Sequence, residues 1–408
     1  MSKYDTYFLM SSKDVAGYVQ ERLSFFPEKE DLECKEIGDG NLNYVFRLVS
    51  KKTGKSVIVK QAGESLRIDK TMHLPTDRGK IESSILKLQR KFSPGLVPEV
   101  FLYDPIMCAL IMEDMIGHTM MRTGLINHEI YPQFAQDIST FLVNSLLFTS
   151  DVLMDHKEKK NHVKEFINPD LCEITEDLVY TEPYNDQNNR NDIYEPNLEF
   201  VKEQLYEDKK LHLEVAKLKF EFMNDAQSLL HGDLHTGSIF INKKHTFVFD
   251  PEFAFYGPMG YDIGNVIANL FFAWCNGDAT IEDKNKKKEF CNWILDTIVK
   301  TVDLFNEKFK KAFMENVKDT MAKTDGFMEY YLQKSLQGTA GCAGLESIRR
   351  IAGMAKVKDI TSIKDEKKRI RAERILITLG KDYIMNRESF LDGNSYKKAI
   401  EKAIAKFS

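Results

Sequence analysis

His231-Gly232-Asp233-Leu234-His235-Thr236-Gly237-Ser238, followed by Asp250-Pro251-Glu252, is the stretch on which the reading of this chain turns. Between the two phrases lie Ile239-Phe240-Ile241 and Thr246-Phe247-Val248-Phe249, joined through Asn242-Lys243-Lys244, which reads as a β-hairpin. Phosphoryl transfer asks little covalent help of a protein: a carboxylate for the nucleophile's proton, and ligands that hold magnesium against the phosphates. Asp233 fits the first role. Asp250 and Glu252 fit the second, because magnesium takes one or two carboxylates and completes its shell with phosphate oxygens and water. His231 and His235 stand at the H-x-x-x-H spacing of helical zinc sites, but Gly232 and Gly237 argue against a helix there. No zinc is expected, and His231 reads as a brace for the loop that holds Asp233.

Toward the N-terminus, short alternating or β-branched runs predict strands at Leu32–Ile37, Tyr44–Val49 and Ser56–Gln61, the last two forming a hairpin around Gly54. Helical spacing of Ile81, Ile85, Leu86 and Leu88 predicts a helix over Lys80–Lys91, and two more strands follow at Val97–Tyr103 and Met107–Met112. The turn after the first strand reads Gly38-Asp39-Gly40-Asn41-Leu42-Asn43-Tyr44-Val45. Gly38 and Gly40 permit positive φ and close approach of backbone N–H groups to a phosphate, though the same residues also make an ordinary hairpin turn. The pattern is like the glycine loop of protein kinases, with Asn43 where the third glycine would be. Val57-Ile58-Val59-Lys60 ends an apolar strand in a lysine, which either snorkels to the surface or points inward. A desolvated ammonium needs a carboxylate, and Glu82 is its natural partner, although Arg78 and Lys80 offer Glu82 local alternatives.

Beyond about Gly117 helical patterns dominate: Tyr131–Ser150, Leu198–Tyr206, Val215–Leu230, Phe290–Phe313, Glu329–Lys356 and Lys367–Arg387. Thr181–Pro196 is polar and Asn-rich and reads as a long surface loop, and Asp283–Glu289 as a solvated helix start or loop. Asp262, ahead of an apolar helix, stands where an N-cap would be. The expected architecture is α+β, in two lobes: residues 1–115, a small antiparallel sheet that binds nucleotide, and residues 116–408, mainly helical, with the catalytic loop, metal site and substrate pocket.

The 408 residues carry 57 Lys and Arg against 62 Asp and Glu, a formal net charge of -5, which gives no reason to expect nucleic acid as a partner. A small-molecule substrate fits better. Residues 1–10 lack a basic region with an apolar run behind it, and no stretch reaches the roughly 18 to 20 apolar residues of a membrane span. No membrane partner and a cytoplasmic location are expected. The six cysteines lack C-x-x-C or zinc spacing and read as reduced thiols.

The ordered phrases IGDGNLNYVF, VIVKQA, MEDM, HGDLHTGSIF and DPEFAFYGPMGYDIGNVIANLF closely resemble the methylthioribose kinases, in the aminoglycoside-phosphotransferase branch of the protein-kinase-like superfamily. The resemblance runs from before Gly38 to the arginine pair near residue 350. It implies phosphorylation of 5-methylthioribose at its 1-hydroxyl by ATP with Mg2+, in methionine salvage, by a homodimer. It places Gly38, Gly40, Asn43, Lys60 and Glu82 at the nucleotide, and Glu113, Asp114 and Met115 as the hinge facing adenine. It places Asp250 and Glu252 at the metal, Asp233 at the sugar as base, and Arg349 and Arg350 at the substrate. Adjacent helical residues point about 100° apart, so one arginine can hold substrate while the other holds a carboxylate such as Glu346. Ser238 stands where protein kinases have a metal-binding Asn, and Gly63–Asp77 departs from the family pattern in lacking tryptophan. Two rival readings are a kinase for another small alcohol, of the aminoglycoside, choline or homoserine type, and a catalytically dead nucleotide-binding regulator. Retention of Lys60, Asp233 and Asp250 together argues against the second.

Overall fold

Alternating burial along Asn43–Ser50 marks a strand with one covered face, and full burial along Ser56–Ala62 marks the central strand of the same sheet. The computed structural model of the protein describes residues 2–27, 30–37, 43–63 and 78–408. The expected glycines 38 and 40 lie outside the described residues, as does 64–77 of the divergent segment. The described chain divides into two compact units, Met1–His118 with Phe247–Ala254, and Thr119–Thr246 with Phe255–Ser408. The expected division between 115 and 116 leaves Phe247–Ala254 in the second part. In the structure this stretch, whose Val248 N–H donates to Leu96 O at 2.8 Å, clusters with the first.

The first unit is built on five antiparallel strands, β1 (Leu32–Glu36), β2 (Asn43–Ser50), β3 (Ser56–Ala62), β4 (Val100–Asp104) and β5 (Ala109–Glu113), in the order β1-β2-β3-β5-β4. Strand β3 pairs on both sides, Val45↔Lys60 with β2 and Lys60↔Leu110 with β5, so Lys60 sits at the middle of the sheet. Side chains alternate between faces. Val57 and Val59 enter the core with Phe46, Leu48 and Ile111, which the helix α1 (Ser12–Arg22) covers with Val15, Tyr18 and Val19. Lys60 therefore projects from the opposite face, where α2 (Arg78–Phe92) buries Glu82, Ile85 and Leu86. Helix α1 lies outside the sequence-based expectation; its i, i+3, i+4 apolar set and its Ser11–Asp14 capping box are the signals for it.

The second unit is mostly helical. Asp283 caps the helix Lys284–Asn316 by accepting from Asn285 N and Lys286 N, so the lysine-rich run is a helix start. The helix expected over Val215–Leu230 is instead Lys209–Asn224, because Ser228–Leu229 is drawn into a short antiparallel pair with Tyr256–Gly257 that leads into the His231 loop. The expected loop at Thr181–Pro196 holds a helical turn, Glu182–Asn185, and Glu182 is buried against Arg190. The apolar helix Gly260–Thr280 begins two residues before Asp262, which is thus inside the first turn rather than at the cap. All six cysteines are free thiols, and among the described residues no helix is long and apolar enough to cross a membrane.

One close approach places the site of this unit. A Cβ on Gly260 would lie 2.3 Å from Gly338 C and Thr339 N, and one on Gly264 would lie 2.6 Å from Ala343 N. The helices Gly260–Thr280 and Phe327–Ala352 therefore touch backbone to backbone, a contact open only to glycine. Gly264→Ala drives a methyl into backbone, so it is expected to destabilise the protein by about 1–3 kcal/mol. A denaturant midpoint equal to wild type would show that the two helices separate freely.

Candidate active site

The two units each hold a cluster of buried charge. In the first, the Lys60 ammonium, 8% exposed, lies 2.8 Å from Glu82 Oε2 and is bonded to Asp250 Oδ1. The strand lysine and helix glutamate do meet. Burial lowers the Lys60 ammonium, but Asp250, Glu82 and Glu252 together hold it above its usual value and fully charged. Burial raises the carboxyls of Glu82 and Glu252, against the pull of Lys60. Glu82, Asp250 and Glu252 bring carboxylate oxygens within 4.8 Å of one another. Asp250 follows the hairpin with φ at 67°, a left-handed conformation rare outside glycine, and strain of this kind clusters at functional sites.

Asn43, expected to face phosphates, donates its amide to Glu252 Oε2 at 2.9 Å and accepts from Arg78 Nε at 3.1 Å. Arg78 also reaches Gly63 O at 3.2 Å and is 3% exposed. Arg78, expected at most as a local partner of Glu82, thus joins Asn43 instead. The side chains of the expected hinge are engaged elsewhere. Glu113 accepts from Glu99 N at 2.9 Å and Arg90 Nη1 at 3.3 Å, while Asp114 accepts from Arg47 Nε and Ser56 Oγ, each at 2.5 Å. Met115 is buried.

In the second unit the His231–Ser238 loop is pinned from beneath. Asp262 accepts from His231 N at 2.7 Å and Gly232 N at 3.0 Å, so the carboxylate expected to cap its own helix braces this loop instead. Gly232 takes φ of 84° at the turn. Asp233 N donates to His231 Nδ1 at 3.3 Å, which is the bracing role expected of that histidine. Ser238 Oγ donates to Asp233 O at 3.0 Å; the residue standing in place of a metal-binding Asn closes the loop.

Arg349 and Arg350 do not divide their labour. Both donate through Nε to the buried Glu346, at 2.8 Å for Arg350, and both turn Nη2 toward Asp233 Oδ1, at 3.5 and 3.8 Å. A shared carboxylate can serve both residues because it offers two oxygens. Asn269 Nδ2 donates to Glu346 Oε1 at 3.2 Å, a partner that no local motif marks. Burial pushes the Asp233 carboxyl up, but the charges of His235, Arg349 and Arg350 prevail and hold it well below the usual carboxylate range. The result is an ionised carboxylate, 28% exposed, facing two guanidiniums.

Residues 33–287 match the phosphotransferase enzyme family. The chain is similar to the methylthioribose kinase of Geobacillus sp. (strain WCH70), 40% identical over 369 residues that span 90% of each chain. It is similar to the methylthioribose kinase of Bacillus cereus (strain 03BB102), 37% identical over 400 residues and 98% of each chain. Among solved structures, a choline kinase from Cryptosporidium parvum Iowa II aligns with 97% of each chain at 14% identity and a TM-score of 0.47.

His235 gives this cluster a pH signature. Its Nδ1 accepts from Gly237 N at 3.1 Å, its Nε2 lies 3.4 Å from Asp233 Oδ2, and burial lowers the imidazole to about 4 against the opposing pull of Asp233. An unfolded imidazole titrates near 6.5. Between these values the unfolded chain binds more protons, so the contribution of His235 to stability is complete above about pH 6.5 and declines as pH falls toward about 4. His235→Asn keeps an acceptor for Gly237 N but does not titrate. Its unfolding midpoint should vary less between about pH 6.5 and 4.5 than that of wild type; an unaltered slope would place the acid sensitivity elsewhere.

Proposed function

The chain belongs to the methylthioribose kinase family, within the phosphotransferase enzyme family, and from this we propose that it transfers the γ-phosphoryl group of ATP to 5-methylthioribose at the 1-hydroxyl. The products are 5-methylthioribose 1-phosphate and ADP, in methionine salvage. The observation that carries the acceptor side is the Asp233 carboxylate facing Arg349 and Arg350 on a loop locked by Asp262. Asp233 accepts a hydrogen bond from the 1-hydroxyl and orients its oxygen; as that oxygen bonds to the γ-phosphorus and the bond to ADP breaks, the proton passes to Asp233. A carboxylate held this far toward its ionised form is a weak base toward a free hydroxyl. Orientation is accordingly the larger share of its work, and the proton moves once the new bond has made the hydroxyl acidic.

The first unit is read as the nucleotide side. Lys60, kept charged by Glu82, binds phosphate oxygens, and adenine is met by the backbone of Glu113–Met115, since the Glu113 and Asp114 side chains are engaged with Arg90, Arg47 and Ser56. The three carboxylates fit a hard divalent cation: among the described residues buried Glu82 Oε1 has no hydrogen-bond partner, and burial disfavours the charge on Glu82 and Glu252 by more than Lys60 offsets. Asp250 and Glu252 would hold Mg2+, with Glu82 beside them. When bound, the ion neutralises phosphate charge. Gly38 and Gly40 keep their proposed place over the phosphates on sequence grounds alone. Family resemblance supports a homodimer and a cytoplasmic location. A cationic acceptor of the choline or aminoglycoside type would want an acidic pocket, whereas the guanidiniums around Asp233 suit a neutral polyol.

A panel of alcohols with ATP and magnesium, followed by ADP release, tests the reading: methylthioribose should give the highest kcat/KM, and preference for choline or an aminoglycoside would sink the substrate while leaving a kinase. Asp233→Asn should lower kcat by roughly two to four orders of magnitude with nucleotide binding retained. Near-normal turnover would remove Asp233 from the chemistry. Asp250→Ala should abolish activity and its response to added magnesium; retained magnesium-dependent turnover would contradict the metal site.

A further inference from the structure

Among the described residues, the charge cluster around Asp233 includes one more cation, which the reaction as described leaves without a role. Arg122 stands on the short helix Met121–Ile126, and its side chain is 18% exposed, against 9% for Arg349 and for Arg350. Nη2 donates to Asn269 Oδ1 at 3.2 Å, the same amide that donates to Glu346. Nε faces Asp359 Oδ2 as an ion pair at 3.6 Å, beyond hydrogen-bonding distance, and is buried without a hydrogen-bond partner among the described residues. Nη1 lies beside the loop, where a Cβ on Gly237 would come within 3.1 Å of it. The charges of Asp233, Glu346 and Arg350 all act on this guanidinium.

Asp359 cannot meet a ligand itself. It is 1% exposed, and neither carboxylate oxygen meets a hydrogen-bond donor in bonding geometry among the described residues. Burial pushes its carboxyl up to about 6, and Arg122 is the largest influence holding it down. A buried carboxylate with unfilled oxygens is costly unless a cation faces it, and Arg122 is that cation. Arg349 and Arg350 show the same construction: each is anchored along one edge on the buried Glu346 and turns the other toward Asp233.

We infer that Arg122 is an acceptor-binding residue, the third guanidinium of the pocket, donating from Nη1 to a hydroxyl oxygen of the sugar, and that Asp359 is the positioning residue that aims it. The inference rests on the acceptor reading given above. A guanidinium suits this task because its donors lie in a rigid plane, so fixing one edge fixes the direction of the other. Gly237 belongs to the same arrangement, since a side chain there would occupy the space that Nη1 faces.

Steady-state kinetics of Arg122→Met, Arg122→Lys and Asp359→Asn, with both KM values measured, decide it. Arg122→Met should raise KM for methylthioribose about 10- to 100-fold, the loss of a charged hydrogen bond, with KM for ATP within about two-fold of wild type. Arg122→Lys should recover part of the loss. Asp359→Asn should raise the acceptor KM by less, and combining it with Arg122→Met should add nothing, because Asp359 acts through Arg122. An unchanged acceptor KM in a folded Arg122→Met or Arg122→Lys protein overturns the inference, as does an equal rise in both KM values, which would mark a merely structural role. If Arg122→Met does not fold, Arg122→Lys and Asp359→Asn decide by the same comparison. If the wild-type protein prefers another alcohol, the substrate reading falls, and the same variants assayed on that alcohol still test Arg122.

Discussion

Backbone contact between the helices Gly260–Thr280 and Phe327–Ala352 is the constraint from which the acceptor cluster follows. Gly260 and Gly264 meet Gly338, Thr339 and Ala343 with no side chain between them. At that separation Asn269 on one helix reaches Glu346 on the other, and Glu346 in turn fixes the Nε groups of Arg349 and Arg350. The first turn of the same Gly260–Thr280 helix carries Asp262, which holds the His231 and Gly232 N–H groups. Loop and guanidiniums are thus referred to one pair of rods. Long, flexible arginine side chains acquire fixed directions in this way.

Both units bury charge that stands only because it is matched. In the first, Lys60 is held charged by three carboxylates while burial works against the charge on Glu82 and Glu252. In the second, Asp233 is ionised by the cations around it despite its burial. A buried ion pair adds little to stability against well-packed apolar groups, and losing one partner leaves the other uncompensated. Clusters of this kind are better explained by what they preorganise: donors and charges already aimed at a phosphate or hydroxyl need no rearrangement when the substrate arrives.

Much of the architecture was legible. Period-two alternation located the strands, and a lysine after three apolar strand residues had to face a carboxylate, which it does at Glu82. The hairpin between the two acidic phrases announced itself by its Asn-Lys-Lys turn. Other elements were hidden because local pattern and final partner diverge. Ser228 and Leu229 extend a helical pattern, yet strand pairing with Tyr256 and Gly257 claims them. Asp262 has the chemistry of a cap, but the N–H groups within its reach belong to a loop 30 residues away. Helix α1 has a short apolar stripe and a polar remainder, and only its seat on the sheet makes that stripe a core face.

What the sequence determined by itself was the inventory and its order: a glycine turn, a strand lysine, a loop aspartate, a second acidic pair and two adjacent arginines, on elements whose type follows from hydrophobic period. What only the tertiary structure decided was the pairing across distance. Asn43 with Glu252, Asp262 with the loop, Asn269 with Glu346, and Arg122 against Asp359 join residues far apart along the chain. The physical reason is that periodicity reports which face of an element is buried, and says nothing of what that face meets. A buried charge demands some partner, but many residues can supply it, and packing selects which one lies within reach.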